Sequence, residues 1–172
     1  SVLNHLGRNL YRNFITVIGE AISNSWDADA NNVYILIDKE SGTFSIKDDG
    51  IGMTSEDFQN KFLKIGYSKR KFGTYKTPSN RPYIGAKGIG KLALHSCADR
   101  ISIFTKTKNT NYTGGTIDNS GLDAAIKDDL TPQEYPLEQA DNNLIDNLKK
   151  DHSSGTIIIF EGARDVMRNR PE

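Results

Sequence analysis

Apolar residues recur at helical spacing from Leu10 to Ala28. Leu10, Phe14, Val17, Ile18, Ala21, Ile22 and Ser25 fall on one broad arc, which predicts an amphipathic helix ended by Asn31-Asn32. The pattern then changes. Val33 to Ile37 is an apolar run rich in β-branched residues, and Phe44 to Asp48 alternates. Two strands joined by a turn at Glu40 to Thr43 make a hairpin. Thr54 is placed to cap a short helix, with Asp57 at the capping-box position and Phe58, Phe62 and Ile65 inside. Tyr67 to Pro82 reads as a loop, and Lys91 to Cys97 as a helix start behind a glycine-rich stretch. Ile101 to Thr105 predicts a strand. Lys106 to Gly121 is polar and suits a hairpin or a loop. Leu122 to Lys150 is acidic and helix-prone in parts, broken by Pro132 and Pro136. Gly155 to Phe160 is the most hydrophobic strand, expected at the centre of a sheet and buried on both faces. Helix, hairpin, helix, loop, helix and strands predict an α+β fold, a largely antiparallel sheet with helices on one face.

Composition narrows the picture. A chain of 172 residues suits one domain, residues 1–172. Lys and Arg number 22 against 22 Asp and Glu, so the formal charge is zero, which argues against a whole-domain electrostatic DNA binder. The single cysteine, Cys97, excludes an intrachain disulfide and a cysteine-cluster zinc site, and suits the core. His5, His95 and His152 share no metal spacing and are expected on the surface or in packing. No apolar run approaches the ~20 residues that span a membrane. No signal peptide is seen, so a cytoplasmic location is expected. The start at Ser1 and the end at Glu172 suggest a piece of a longer protein.

Three constellations carry chemistry. Glu20, Asn24 and Asp27 are spaced four and three apart, within about 60° of one another on a helix, beside the apolar arc. Two carboxylates and an amide oxygen in one line suit a hard cation and an activated water. Asp48-Asp49-Gly50-Ile51-Gly52-Met53 follows a predicted strand. Its glycines allow a tight turn and close approach to a ligand. A strand-end Asp can accept from an amine such as that of adenine. Gly85-Ala-Lys87-Gly88-Ile-Gly90-Lys91 offers backbone N–H groups to an anion before a helix. It nearly spells a P-loop, but Leu92 stands where Ser or Thr should hold magnesium. The phosphate-cradle reading survives, and a plain glycine-rich helix entry fits equally.

Together these elements resemble the GHKL ATPase superfamily, which includes the B subunit of DNA gyrase, the large heat-shock chaperones, histidine kinases, and the MutL and MORC proteins. Glu20-Ala-Ile-Ser-Asn24-Ser-Trp-Asp27-Ala resembles its N box, Asp48 to Met53 its G1 box, and Gly85 to Gly90 its G2 box. Gly155-Thr156 resembles the late Gly-Thr of the site. Order and spacing match over residues 10 to 162.

The resemblance implies a Bergerat fold, a two-layer α/β sandwich, with ATP and Mg2+ as ligands. Glu20 would be the general base and Asn24 the magnesium ligand, with Asp27 one turn along the ATP wall. Asp48 would accept from the adenine amine with support from Thr156. Gly50 would belong to the same turn, and Gly52 and Met53 would pack beside the base. Gly85, Gly88 and Gly90 would cradle the phosphates. Residues about 64–87 would form the ATP lid, with Ser68, Lys69 and Lys87 as phosphate contacts. The implied activity is slow ATP hydrolysis to ADP and phosphate, driving lid closure and ATP-dependent homodimerisation through regions outside this sequence. The parent would be chaperone-like or DNA-associated, with a client protein or nucleic acid as partner. The alternatives are a histidine-kinase catalytic domain and a non-hydrolysing ATP-gated module. Glu20 and Trp26-Asp27-Ala28 resemble the hydrolysing branches. Trp26 is expected to pack behind the site. The lid's cations suit phosphate or solvent. Two departures stand out: residues about 106–150 match no placeable motif and carry no assigned role, and no transducer domain with its γ-phosphate lysine follows.

Overall fold

The computed structural model describes residues 2–59, 77–81, 98–118 and 137–162. Helix α1 (Val2–Asp27) leads into β1 (Val33–Asp38) and β2 (Thr43–Asp48), then a short α2 (Ser55–Asp57). Next come β3 (Arg100–Lys106), β4 (Thr113–Asp118), β5 (Leu137–Glu138), a 3-10 turn (Asn142–Ile145) and β6 (Gly155–Glu161). The strands form a six-stranded sheet in the order β1-β2-β6-β3-β4-β5, and every described pairing is antiparallel. This is the α+β fold with an antiparallel sheet that the pattern predicts. β6 is central, and Ile157 to Phe160 are each at most 4% exposed, as its continuous apolar run requires.

Period-two alternation sorts the sheet into two faces. Phe44, Ile46, Ile101, Ile103, Ile158 and Phe160 share one cluster with Val17 and Ala21 of α1. Phe44 stacks on Phe160 with ring centroids 4.2 Å apart, and Phe14 of α1 meets Phe44 edge-on at 5.1 Å. On the opposite face Phe104, Ile157 and Ile159 pack with Ile145, Tyr112, Leu144 and Leu148. The end of the polar segment 106–150 therefore covers the back of the sheet. Its beginning resolves into the β3–β4 hairpin, the first of the two forms that the sequence allowed.

The helix departs from expectation in two places. It begins at Val2, eight residues earlier than the apolar arc. Ile22 leaves the core and is 44% exposed. Seven residues after Ile15 and four before Trp26, it shares their outward face, and those two are 52% and 40% exposed. Trp26 thus does not pack behind the site. It lies beneath the Arg81 guanidinium, 4.7 Å from the ring centroid. Thr54 caps α2 as predicted, its hydroxyl accepting from the Asp57 N–H at 3.2 Å. Phe62, Ile65 and the helix start at 91–97 lie outside the described residues.

Candidate functional site

Three neighbouring strands end in a row on the α1 face. The β2–β6 register reaches Lys47↔Ile157, so its next step sets Asp48 opposite Thr156. The β3–β6 register pairs Thr156 with Thr105. By alternation Asp48, Thr156 and Thr105 point the same way as Ile46, Ile158 and Ile103, toward the helix. The apolar rows of the core therefore continue into a polar row at the sheet's end.

The helix meets this row with a matching line. Val17, Ala21 and Ser25 are four apart and almost fully buried. The line that packs the helix delivers the Ser25 hydroxyl to Asp48 Oδ2 at 2.8 Å. Asp48 Oδ1 accepts the Gly50 N–H at 3.0 Å and the Thr156 N–H at 3.1 Å. An ionised carboxylate has about four acceptor positions. Three are taken, which leaves one position on Oδ2. Burial pushes the Asp48 carboxyl up from its ordinary value, against the lowering pull of Gly50, Ser25 and Thr156.

The two adjacent aspartates divide the work. Asp48 is buried in the site. Asp49 turns away and accepts the Asn31 and Asn32 N–H groups, each at 2.8 Å, and the Asn32 side chain at 2.9 Å. Burial raises the Asp49 carboxyl, but these bonds outweigh it and hold it below the usual range. The G1-like turn is thus tied to the segment leaving α1. Ile51 N–H also donates to the Ala28 carbonyl at 2.8 Å, which brings Gly50 against Ala28.

Gly52 has φ +68°, and a Cβ there would run into the Lys106 carbonyl. Met53 packs against the core cluster. Its N–H donates to Thr105 Oγ1 at 3.0 Å, and that hydroxyl meets Thr156 Oγ1 at 3.0 Å. Gly155 has φ +122°, and a Cβ there would strike the main chain of Asp48 and lie 2.9 Å from its Oδ1. The Gly-Thr pair therefore has a physical reason: glycine lets β6 start against Asp48, and the next N–H reaches the carboxylate.

Glu20 and Asn24 are half-buried on α1, and Asp27 is 3% exposed at its end. The Asn24 side-chain nitrogen is out of solvent with no hydrogen-bond partner. The two ends of an amide have the same shape, so a half-turn sets the oxygen in that place. One neutral oxygen fits Mg2+, which keeps several waters and takes the rest of its shell from phosphates. The described residues hold no cluster of three or more acidic, histidine or cysteine side chains, so they form no all-protein metal cage.

Part of the expected lid is anchored. Thr77 and Ser79 hydroxyls both donate to Asp29 Oδ1, and the Ser79 N–H donates to Oδ2 at 3.0 Å. Arg81 donates to the Ala30 carbonyl at 2.8 Å. Burial raises the Asp29 carboxyl, but these bonds and Arg81 bring it below its ordinary value. Arg81 is thus a structural cation in this arrangement. Ser68, Lys69, Gly85, Lys87, Gly88 and Gly90 lie outside the described residues.

Asp48, Gly50, Gly52, Met53 and Thr156, all named from the sequence, meet around the end of β2, and Glu20, Asn24 and Asp27 lie on the last turns of α1. Ser25 and Thr105, which bond to this turn, were not named as site residues. Ser25 carried a signal, a polar residue on an apolar arc. Thr105 carried none until the strand register was known.

Comparison with known proteins finds relatives over most of the chain. The family model described as histidine kinase-, DNA gyrase B-, and HSP90-like ATPase matches residues 11–156. A putative type II restriction enzyme, HgiDII, from Herpetosiphon aurantiacus is 36% identical over 141 residues, covering 80% of this chain and 22% of that protein. The chaperone protein HtpG of Sulfurimonas denitrificans is 32% identical over 133 residues, 63% of this chain and 21% of its own. A mitochondrial TNF receptor-associated protein 1 homolog from Dictyostelium discoideum is 28% identical over 144 residues, 70% of this chain and 20% of its own. The chain spans about a fifth of the length of these relatives.

Proposed function

The chain belongs to the histidine kinase-, DNA gyrase B- and HSP90-like ATPases, and from that premise we propose that it binds ATP with Mg2+ and hydrolyses it slowly to ADP and phosphate. The observation that carries the reading is the buried Asp48 carboxylate with one acceptor position left over. An acceptor-only group suits the exocyclic amine of adenine, which donates. Ser25, Gly50 and Thr156 hold the carboxylate in place, so little freedom is lost when a base arrives. Gly52 and Met53 flank the base.

Asn24 would hold Mg2+ through its amide oxygen. When bound, the ion supplies charge that polarises the phosphates. Glu20 stands one turn before Asn24 and takes the proton of the attacking water, a step typically worth ~10²–10⁴-fold. Asp27 lines the wall beyond Asn24. Residues about 64–87 are proposed to close over the nucleotide, with Gly85, Gly88, Gly90, Ser68, Lys69 and Lys87 at the phosphates. The contacts of 77–81 with Asp29 give this lid a fixed foot beside α1. Within a longer protein, closure would drive dimerisation and work on a client protein or nucleic acid.

Calorimetry with MgATP on this chain and single-turnover hydrolysis in the full-length protein test the reading. Saturable binding and phosphate release without a protein acceptor are expected. Phosphate appearing on an added histidine substrate instead of in solution would assign the chain to the kinase branch.

A further inference from the structure

Tyr112 and His152 belong to none of the motifs above. His152 is 6% exposed and lies three residues before Gly155. Its Nε2 is 2.7 Å from the Asp48 main-chain oxygen, and its Nδ1 is 2.7 Å from the Tyr112 hydroxyl. A carbonyl oxygen only accepts, so Nε2 carries the hydrogen, and in the neutral ring Nδ1 accepts from Tyr112. The two rings stack at 5.8 Å, 7° from parallel. Two residues on, the Ser154 hydroxyl donates to the Gly50 carbonyl at 2.8 Å. Residues 152 and 154 thus grip the main chain at both ends of the Asp48–Gly50 turn. The same turn supplies the carboxylate and one of the N–H groups of the site.

We propose that His152 is a positioning residue of the nucleotide pocket, holding the Asp48 main chain with a ring that Tyr112 seats through Nδ1, and that acid, by protonating Nδ1, unseats the ring and weakens nucleotide binding. The proposal rests on the ATP-binding reading above.

The chemistry follows from the two bonds. A second proton must go on Nδ1, the atom that accepts from Tyr112. The Nε2–H bond to the Asp48 carbonyl stays, but the Tyr112 hydroxyl has to turn round and accept, so the ring loses the donated bond that seats it. The new positive charge would arise near Lys47 of β2 and Lys106 of β3, with Asp48 as the opposing charge. Lys106 already lies 5.5 Å from the Tyr112 ring centroid, and Lys47 donates to the Lys150 carbonyl at 3.3 Å. On the histidine's own segment, Lys150 and Asp151 are exposed to water. Burial, then the two lysines, hold the imidazole below its ordinary 6.5, against the Asp48 bond and charge. The ring is therefore neutral at neutral pH, and the acid limb lies below about 6.5.

The test is calorimetric titration of MgATP into the whole chain at about pH 7.5 and about pH 5.5, either side of the histidine range. Wild type, His152→Gln and His152→Phe are compared. Glutamine keeps an N–H for the Asp48 carbonyl and takes up no proton. Phenylalanine keeps a ring and loses both bonds. The nucleotide's own protonation is common to all three and cancels in the comparison. Between the two pH values, wild type is expected to lose more affinity than His152→Gln, by a factor below about tenfold because the ring titrates below 6.5, and His152→Phe to be about tenfold weaker than wild type at the higher pH. Parallel losses in wild type and His152→Gln overturn the proposal. Absence of binding by wild type at about pH 7.5 would instead overturn the ATP-binding reading, and this inference with it. NMR titration of the wild-type ring is independent of any variant's folding. Bound nucleotide is expected to lower its protonation midpoint, as reciprocal linkage requires. A midpoint unmoved by nucleotide contradicts the coupling.

Discussion

Glu20 and Asn24 differ by one helical turn and by chemistry, so substitutions should separate their roles. In the proposed site, Glu20→Ala keeps MgATP affinity and lowers turnover by ~10²–10⁴-fold. Asn24→Ala loses the magnesium-dependent part of binding as well. Binding assays with and without Mg2+, and single-turnover rates in the full-length protein, separate the two. Parental turnover in Glu20→Ala would remove it as the base. Asp29 makes a different residue-scale case. Its carboxylate gathers Thr77, Ser79 and Arg81 just past the end of α1. Asp29→Ala removes the acceptor of Thr77 and Ser79 and the charge facing Arg81, so the amides of 77 and 79–81 should exchange faster with solvent. Unchanged protection at 79 would show that the contact does not hold this stretch. Helical spacing groups the proposed site residues Glu20, Asn24 and Asp27, and the family resemblance gives them their proposed roles. The Asp29 contact was not legible, since it joins positions about fifty residues apart through a loop with no periodic pattern.

At the scale of elements, β6 is the part best read in advance. β6 announced itself as a continuous apolar run, and its Gly155 has a steric reason at the Asp48 main chain. Gly155→Ala should therefore displace the start of β6 and remove the Thr156 bond to Asp48. At φ +122° the substitution is also strained in itself. A stability loss of more than about 1 kcal/mol is expected by denaturant unfolding, with MgATP affinity falling alongside. Segment 106–150 was the part least legible. Its polar composition hides a few well-spaced apolar residues that serve one face only. Ile145 is 2% exposed against Phe104, Ile157 and Ile159. Ile145→Ala should cost about 2–5 kcal/mol, as a core residue does, although it stands in a stretch of asparagine and aspartate. A cost near zero would mean the back face is not sealed by this turn. α1 shows the opposite error, of over-reading. An arc drawn broadly enough to include Ile22 takes in a position that geometry turns outward.

For the whole molecule, the buried and bonded aspartates set opposite pH trends. Asp29 and Asp49 have folded-state values below the ordinary 3.8. The stability they contribute is fully present above about 3.8 and is lost as pH falls through their lower folded values. Asp48 has a raised value, so its ionised form costs stability as pH rises past the ordinary carboxylate range. Asp48→Asn removes that cost. The asparagine oxygen can keep the Gly50 and Thr156 bonds, while its amide nitrogen donates to Ser25 Oγ. Ser25 then gives its own hydrogen to the Ala21 carbonyl, already 3.0 Å away. The variant should fold as well as wild type, yet it presents a donor where the adenine amine needs an acceptor. Calorimetric titration of MgATP into wild type and Asp48→Asn, with thermal unfolding of both, is the most direct measurement of the proposed site. Binding by wild type and a loss of at least about tenfold in a variant of unchanged stability is the expected result, since a charge-assisted hydrogen bond is worth roughly 1.5–3 kcal/mol. Equal affinity for MgATP in the two proteins would contradict the site.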